Sequence, residues 1–278
     1  MMRTVLKLVM FGAVVYGAVL LLMFFLQSRF VFLPQVSRGG SPTPREAGLE
    51  YEDVELRTSD GETLHGWWVP VRAPRGAVLL LHGNAGNIAH RIAYLPTLHE
   101  LGYAALLIDY RGYGRSTGSP SEQGTYRDAS AAWHYLVAMR GLKPRDIVIL
   151  GESLGGGVAT WLALEHPPRA LVLASTLTSV PDLAAGIYPW LPVRWLSRIK
   201  YDSLDRIGRI DAPIFIAHSR DDDLVPYGHA ERLFAAAHEP KRLLTMSGGH
   251  NDTFLFSRPE WSEALGSFLE RAAAGSGR

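Results

Sequence analysis

The chain has 278 residues, 47% of them hydrophobic, which is enough to build one large α/β domain around a buried core. Its formal net charge of +1 leaves no excess of positive charge for binding nucleic acid, so no nucleic-acid partner is expected. The absence of cysteine from the sequence excludes disulfides, thiolate nucleophiles and cysteine-ligated metal sites.

The first predicted element is a membrane anchor within residues 1–36. Residues Leu8 to Leu26 carry no charge, and as a helix they would measure about 28 Å, close to the thickness of the hydrocarbon layer of a bilayer. The alternative is a cleaved signal peptide, whose apolar run is usually shorter, about 7–15 residues, and ends in small residues. Here the run ends in bulky residues, so we predict that it stays and ties the protein to the membrane.

The basic residues around this helix bear on its orientation. Arg3 and Lys7 precede the apolar run, while Arg29, Arg38 and Arg45 follow it, so the balance is close to even. The positive residues before the span favour a cytoplasmic N-terminus, because lysine and arginine tend to stay on that side. We therefore expect the rest of the chain to lie in the periplasm or outside the cell.

Residues 37–48 are rich in glycine, proline and serine and are predicted to be a linker to a domain over residues 49–278. Within that domain, residues 177–209 hold several aromatic residues and prolines and interrupt the regular pattern described next. Such an insertion is either a cap over a pocket or a packed pair of connecting helices, and the sequence leaves both open.

The domain opens with an antiparallel pair of strands, since residues 51–58 alternate apolar and polar side chains and residues 62–70 return after an Asp-Gly turn. Six short apolar runs follow, and unbroken runs of this kind are typical of strands buried on both faces. The runs are GAVLLLHG, YAALLIDY, DIVILGES, ALVLAST, PIFIAHS and KRLLTMS. Helix-like segments separate most of them, which predicts right-handed βαβ units. The predicted fold class is α/β, with a mostly parallel central sheet, antiparallel strands at its N-terminal edge and helices on both faces.

Two segments fit the pattern Gly-x-Ser-x-Gly, which can mark a reactive serine, and only their surroundings separate them. Ser153 follows the strand-like DIVIL and precedes the helical LGGGVATWLALEH, which is the strand–turn–helix context of a nucleophile elbow. Ser116 lies several residues beyond its strand and is followed by turn residues. Ser153 is therefore predicted to be the nucleophile and Ser116 a loop serine.

A serine hydroxyl is a weak nucleophile unless a base removes its proton. His250 lies in the loop after the last predicted strand, and acids follow the strand before it. The chain order Ser153, Asp222, His250 is the order of a Gly-x-Ser-x-Gly hydrolase, so these three are predicted to be catalytic. The chemistry needs no cofactor and no metal, although three adjacent aspartates, Asp221 to Asp223, could instead attract a divalent cation.

Residues 49–272 resemble an α/β-hydrolase. More narrowly, they resemble the membrane-anchored α/β-hydrolase-domain serine hydrolases that carry the motif His-Gly-Asn-Ala-Gly-Asn. That motif occupies residues 82–87 here, directly after the strand run AVLLL, and the runs 109–116 and 248–252 also match the group.

The resemblance implies further site residues. In the family, the residue after His-Gly donates a backbone N–H to the oxyanion hole, which implies Asn84 here, with Leu154 as the second donor. The family's acid motif resembles His-Gly-x-x-Asp-x-x-Val-Pro. Aligned on His218 and on the later Val-Pro pair, it places the acid at Asp222, with Ser219 where glycine is usual.

The expected function is hydrolysis of an acyl ester or thioester, on a small-molecule or lipid-like substrate reached at the membrane surface. If residues 177–209 form a cap, Tyr188, Trp190 and Trp195 are candidates for contacting an acyl chain; otherwise they fill the core of the insertion. An acyltransferase or a peptidase could use the same catalytic residues, and a non-catalytic binding protein on this fold is a further alternative. Nothing in the sequence sets an oligomeric state.

Overall fold

The computed structural model describes residues 1–35, 41–252 and 256–275, and strands and helices alternate through most of it. The strands are β1 (Leu33–Pro34), β2 (Glu52–Arg57), β3 (Thr63–Val69), β4 (Gly76–Leu81), β5 (Ala85–Gly86), β6 (Tyr103–Ile108), β7 (Ile147–Glu152), β8 (Ala170–Ala174), β9 (Ile214–Ser219) and β10 (Lys241–Met246). The helices are α1 (Met2–Val31), α2 (Leu95–Glu100), α3 (Glu122–His134), α4 (Leu154–Glu165), α5 (Val180–Ile187), α6 (Val193–Leu196), α7 (Ser203–Ile207), α8 (Gly228–Ala236) and α9 (Pro259–Gly275). Short 3₁₀ helices cover Pro44–Ala47, Ile88–Tyr94 and Pro144–Asp146, and α3 continues as a π-helical turn over Tyr135–Met139.

Eight of the strands form one sheet, in the order β10-β9-β8-β7-β4-β6-β3-β2. β3 runs antiparallel to both of its neighbours, β2 and β6, and all other neighbouring strands are parallel. β1 and β5 form a separate two-stranded parallel pair. The predicted fold class is therefore confirmed, including the antiparallel strands at the N-terminal edge of the sheet.

The core lies on both faces of this sheet, which explains the unbroken apolar runs. Successive residues of a strand point to opposite faces, and in β4 Leu79 packs in one core cluster while Leu80 packs in the other. α3 and α4 cover the first face, and α9 covers the second with Trp261, Leu265 and Phe268. Both faces exclude water, so every position of β4 is buried and apolar or glycine. α9 was not predicted from the sequence.

α1 is longer than its uncharged run, and its end is attached to the domain by packing. Among the described residues it is the one helix long and apolar enough to cross a membrane, with a mean hydropathy of 2.5 over 18 residues, properties that signal sequences share. The next residue, Phe32, is 4% exposed and belongs to the main core. β1 then pairs with β5, with Leu33 opposite Ala85. Within the predicted linker, Pro44 is buried.

Three short helices, α5, α6 and α7, occupy the interval between β8 and β9. We call residues 177–209 the cap. Its tip presents large apolar side chains to the outside: Ile187 is 48% exposed, Trp190 59% and Trp195 91%. These three side chains therefore do not fill a core of the insertion, which was one of the two interpretations of the sequence.

Candidate active site

Four loops meet at the carboxyl edge of the parallel strands. Asn84 follows β4, Ser153 follows β7, Asp222 follows β9 and His250 follows β10. Because parallel strands all end at the same edge of a sheet, residues that follow them can lie together, and ligand sites of open α/β sheets form there. The order of the strands in the sheet thus explains why these residues lie close together in space.

The turn that carries Ser153 is strained. Its φ of 51° and ψ of −119° fall outside the regions that L-residues ordinarily adopt. Ser153 alone separates β7 from α4, so the chain must reverse sharply at this residue. Gly155 makes the reversal possible, because a Cβ there would lie 2.1 Å from the carbonyl oxygen of Leu81. Such a strand–turn–helix junction lifts the hydroxyl to the top of the sheet, as a nucleophile elbow does.

Ser153, His250 and Asp222 form a continuous hydrogen-bonded chain. Ser153 Oγ lies 3.0 Å from His250 Nε2, and His250 Nδ1 lies 2.8 Å from Asp222 Oδ2. An ionised carboxylate only accepts hydrogen bonds, so Nδ1 must carry the proton that joins His250 to Asp222. In the neutral imidazole, Nε2 is then left with a lone pair directed at the serine hydroxyl.

Asp222 is held in its ionised form by its surroundings. Its Oδ1 accepts the backbone N–H of Val225 at 2.7 Å, and its Oδ2 lies 3.3 Å from His218 Nε2 as well as close to His250. Burial alone would raise the pKa of this carboxyl, but the hydrogen bonds from His218 and His250 hold it well below its usual range. The carboxylate is therefore charged at neutral pH.

The two neighbouring aspartates make different contacts. Asp221 Oδ2 accepts the backbone N–H of Gly248 at 3.3 Å, and Asp223 Oδ1 accepts the backbone N–H of His250 at 2.9 Å. Only Asp222 contacts the imidazole ring among these three acids. Asp221 and Asp223 bind backbone N–H groups of the loop that carries His250, so each of the three carboxylates has a different partner.

The two residues implied as oxyanion donors lie on either side of the serine turn. Leu154 is the first residue of α4, and the first backbone N–H groups of a helix have no partner within the helix. Asn84 is fixed on three sides: its side-chain amide donates to Val31 O at 3.1 Å, and its carbonyl accepts from Leu33 N at 3.0 Å and from the Tyr113 hydroxyl at 2.8 Å. α1 and β1 thus brace the loop that follows β4.

A buried ion pair ties this loop to the serine turn. Arg91 Nε donates to one oxygen of Glu152 at 2.7 Å and Nη2 to the other at 3.0 Å, with 10% and 13% of the two side chains exposed. Glu152 directly precedes Ser153, and Arg91 lies in the 3₁₀ helix after the Asn84 loop. The sequence analysis did not identify Arg91. Its signal was an arginine next to buried apolar residues such as Ile88, since a buried arginine requires a charged partner.

His82, two residues before Asn84, is fully buried beneath the site. Its Nδ1 lies 2.7 Å from Gly83 O, and its ring packs 4.4 Å from the ring of Tyr110, centroid to centroid. Burial, with a further contribution from the positive charge of Arg91, lowers the pKa of the imidazole to about 4. His82 is therefore neutral at physiological pH.

Ser116 lies away from this hydrogen-bonded chain, in the part of the structure around β3. Its Oγ donates to the carbonyl oxygen of Asp109 at 2.7 Å and accepts the backbone N–H of His65 at 2.9 Å. The carboxylate of Asp109 accepts the backbone N–H of Ile88 at 2.9 Å, while Arg111 pairs with other acids. The run 109–116 thus supports the loop after β4.

Two of the three cap aromatics, Tyr188 and Trp190, lie beside α1. Tyr188 lines a groove between the cap and α1. The carbonyl oxygen of Trp190 accepts a hydrogen bond from the Tyr16 hydroxyl of α1 at 2.9 Å. Trp195 projects outward, as its 91% exposure indicates. The structure therefore groups the catalytic candidates with the oxyanion candidates, while Tyr188 and Trp190 lie beside α1 and Trp195 is exposed.

The chain is similar to known proteins over most of its length. A family model described as alpha/beta hydrolase fold matches residues 76–205. An uncharacterized protein of Mycobacterium tuberculosis is 40% identical over 264 residues, covering 94% of this chain and 93% of the relative. The alpha/beta hydrolase domain-containing protein WAV2 of Arabidopsis thaliana is 33% identical over 290 residues, which cover 95% of this chain and 93% of WAV2.

Two further similarities concern proteins named for an activity. The lysophosphatidylserine lipase ABHD12 of Danio rerio is 33% identical over 221 residues, which cover 69% of this chain and 57% of the lipase. An esterase of Pyrococcus furiosus of known structure superposes with a TM-score of 0.72 at 25% sequence identity, covering 86% of this chain and 98% of the esterase. These proteins carry the same fold over most of the domain that holds Ser153, His250 and Asp222.

Proposed function

This chain belongs to the α/β-hydrolase family, and from that premise we propose that it is a membrane-anchored serine hydrolase that cleaves acyl esters or thioesters. The observation that carries the proposal is the hydrogen-bonded chain from Ser153 through His250 to Asp222, with separations of 3.0 and 2.8 Å. A nucleophile, a base and an orienting acid in this geometry are the constellation of acyl-transfer enzymes.

The reaction proceeds through an acyl-enzyme. His250 Nε2 takes the proton of the Ser153 hydroxyl as Oγ attacks the acyl carbonyl, and then gives it to the leaving alcohol or thiol. Asp222 holds the imidazole in its Nδ1-protonated form and stabilises the cation that forms. The backbone N–H groups of Asn84 and Leu154 bind the oxyanion, each worth a factor of about 100–1,000 in rate. Water, activated by the same histidine, releases the acid, so the reaction needs neither cofactor nor metal.

The proposed substrate is the acyl ester of a lipid or of a small molecule. Similarity to an esterase and to a lysophosphatidylserine lipase favours esters over amides. We propose that α1 is an uncleaved single-pass anchor. The basic residues Arg3 and Lys7 before its apolar run favour a cytoplasmic N-terminus and a catalytic domain in the periplasm or outside the cell.

A fluorophosphonate probe, which phosphonylates activated serines with loss of fluoride, tests the proposal directly. The full chain in detergent micelles should react with the probe and hydrolyse p-nitrophenyl acetate. Ser153→Ala should lose both activities, while the matched Ser116→Ala variant should keep most of both because Ser116 only fastens a loop. Labelling that survives in Ser153→Ala, or a wild-type chain that neither reacts nor hydrolyses esters, would contradict the proposal.

A further inference from the structure

An apolar groove, open to the outside, lies between α1 and the cap. Five residues of α1 and seven of the cap line it, and two of these, Gln27 and Ser197, carry an amide and a hydroxyl group. The Gln27 amide donates to Leu196 O at 2.9 Å and accepts from Arg198 N at 2.7 Å, and the Ser197 hydroxyl donates to Ile199 O at 2.6 Å. With these groups already paired within the protein, the groove offers a ligand apolar surface and the Tyr188 hydroxyl.

The contact between α1 and the cap extends over half the length of the helix. At one end, the Tyr16 hydroxyl donates to Trp190 O at 2.9 Å; further along, the guanidinium of Arg198 packs over the ring of Phe24 at 4.9 Å. One side of the second half of α1 is partly buried, while the first half of the helix is exposed. The partly buried residues are Gly17, Val19, Leu20, Met23, Phe24, Leu26, Gln27 and Val31.

This contact determines how deep the cap lies in a membrane. The part of α1 that precedes Tyr16, residues 2–15, has a length of about 21 Å, whereas the hydrocarbon layer is about 30 Å thick. If α1 spans the bilayer, at least about 9 Å of the span must come from the half that packs on the cap. The tip of the cap, which contacts Tyr16 through Trp190, then lies at least about 9 Å inside the edge of the hydrocarbon layer, where its exposed tryptophans meet acyl chains.

The groove also leads towards the candidate active site. Val31 lines its end, and the carbonyl oxygen of Val31 accepts the hydrogen bond from the Asn84 side chain at 3.1 Å. Asn84 is the proposed oxyanion donor, and a Cβ at the adjacent Gly83 would lie 3.3 Å from the Cβ of Ser153. One end of the groove therefore adjoins the loop that holds the reacting carbonyl, while its outer wall is the membrane helix.

We propose that this groove binds the acyl chain of a membrane lipid ester, which enters sideways from the bilayer. α1 is then one wall of the substrate site as well as an anchor. This inference rests on the proposed function: hydrolysis breaks the acyl C–O bond, water supplies the hydroxyl of the released acid, and the alcohol leaves with the proton. The bilayer is the source of the ligand because the groove is bounded by the helix that crosses it.

Variants of the full chain in detergent micelles test the groove with p-nitrophenyl dodecanoate and p-nitrophenyl acetate. Ala184→Trp fills the groove from the cap side. Phe24→Ala removes a groove wall, and Phe25→Ala is its matched control, because Phe25 is adjacent, equally apolar and 68% exposed. Since each buried methylene changes binding about fourfold, Ala184→Trp should lower the ratio of kcat/KM for the dodecanoate to kcat/KM for the acetate at least about tenfold.

Phe24→Ala should reduce dodecanoate hydrolysis several-fold, and Phe25→Ala should not. Equal loss on both esters in Ala184→Trp and Phe24→Ala, or an equal effect of Phe25→Ala, would overturn the inference and leave the groove as a packing interface. Failure of the proposed function would be visible separately, because the unsubstituted chain would then hydrolyse neither ester and Ser153 would not react with fluorophosphonate.

Discussion

Replacing Glu152 by alanine should destabilise the protein by about 3–5 kcal/mol, because the change leaves a buried guanidinium without its counter-charge. Only 10% of the Arg91 side chain is exposed, and both of its hydrogen bonds to Glu152 are short, at 2.7 and 3.0 Å. Burial by itself lowers the pKa of Arg91, and the carboxylate more than offsets this. Arginine does not release its proton in proteins, so the unpaired charge cannot be relieved by neutralisation.

The assay is urea unfolding of the full chain in detergent micelles, followed by tryptophan fluorescence. A matched control is Asp205→Ala, which breaks the exposed pair of Arg209 and Asp205, whose side chains are 58% and 70% exposed. That change should cost less than about 1 kcal/mol, because exposed ion pairs contribute little. The double variant Arg91→Met, Glu152→Leu should recover much of the stability, since it removes both buried charges together.

The same pair should matter for catalysis, because it joins the serine turn to the loop of Asn84. In Glu152→Ala we expect slower fluorophosphonate labelling of Ser153 even where the variant is fully folded. A loss of stability below about 1 kcal/mol for Glu152→Ala, equal to that of Asp205→Ala, would refute the reasoning that this ion pair is buried and isolated from solvent.

Three further predictions follow from the site. Asp222→Asn should lower kcat by about 10³–10⁴-fold. Asp221→Asn and Asp223→Asn change acids that bond to backbone N–H groups, and each should lower kcat less than about tenfold. If one of these two variants were the most damaging, the catalytic acid would be that residue and not Asp222. The pKa of His82 is about 4 in the folded protein and about 6.5 in the unfolded chain. Between these two pH values the unfolded chain binds more protons than the folded protein. The contribution of neutral His82 to the free energy of unfolding is therefore fully present above about pH 6.5 and is lost as the pH falls towards 4. His82→Phe should abolish a pH-dependent component on the order of 3 kcal/mol in urea unfolding, and an unchanged pH profile would contradict the burial argument. A C-terminal alkaline phosphatase fusion should be active and a C-terminal green fluorescent protein fusion dark if the domain lies outside the cytoplasm; the reverse pattern would invert the proposed orientation.

The sheet could be predicted from the sequence because strands buried on both faces must be apolar throughout. In DIVIL only the first residue is polar, and PIFIA is apolar at every position. α9 was missed although Trp261, Leu265 and Phe268 recur at helical spacing, a signal that the sequence analysis did not use. The contact of α1 with the cap could not be predicted at all. The helix is apolar on nearly every side, and the hydrogen bonds of Tyr16 and Gln27 to the cap become visible only in the fold.

Most of the candidate active site could be predicted from the sequence for a related reason. Ser153, Asn84 and His250 each follow a strand that the pattern predicts, and topology then brings them to one edge of the sheet. The choice of Asp222 among three adjacent aspartates rested on the resemblance to the family's acid motif. A shift of one residue changes the partner completely: Asp222 contacts the ring of His250, and Asp223 contacts its backbone. Arg91 and Glu152 are far apart in the chain, and only the fold pairs them.

The burial of Phe32 has a practical consequence for preparing a soluble fragment. Cutting the chain after residue 36, where composition suggests that a linker begins, would remove this core side chain, and truncating a buried phenylalanine costs about 3–5 kcal/mol. The same cut would delete β1, the pairing partner of β5, and Val31, whose carbonyl oxygen holds the side chain of Asn84. A fragment that begins near Ser28 would keep all three while discarding most of the hydrophobic span, and it is therefore the better starting point for expression and crystallisation.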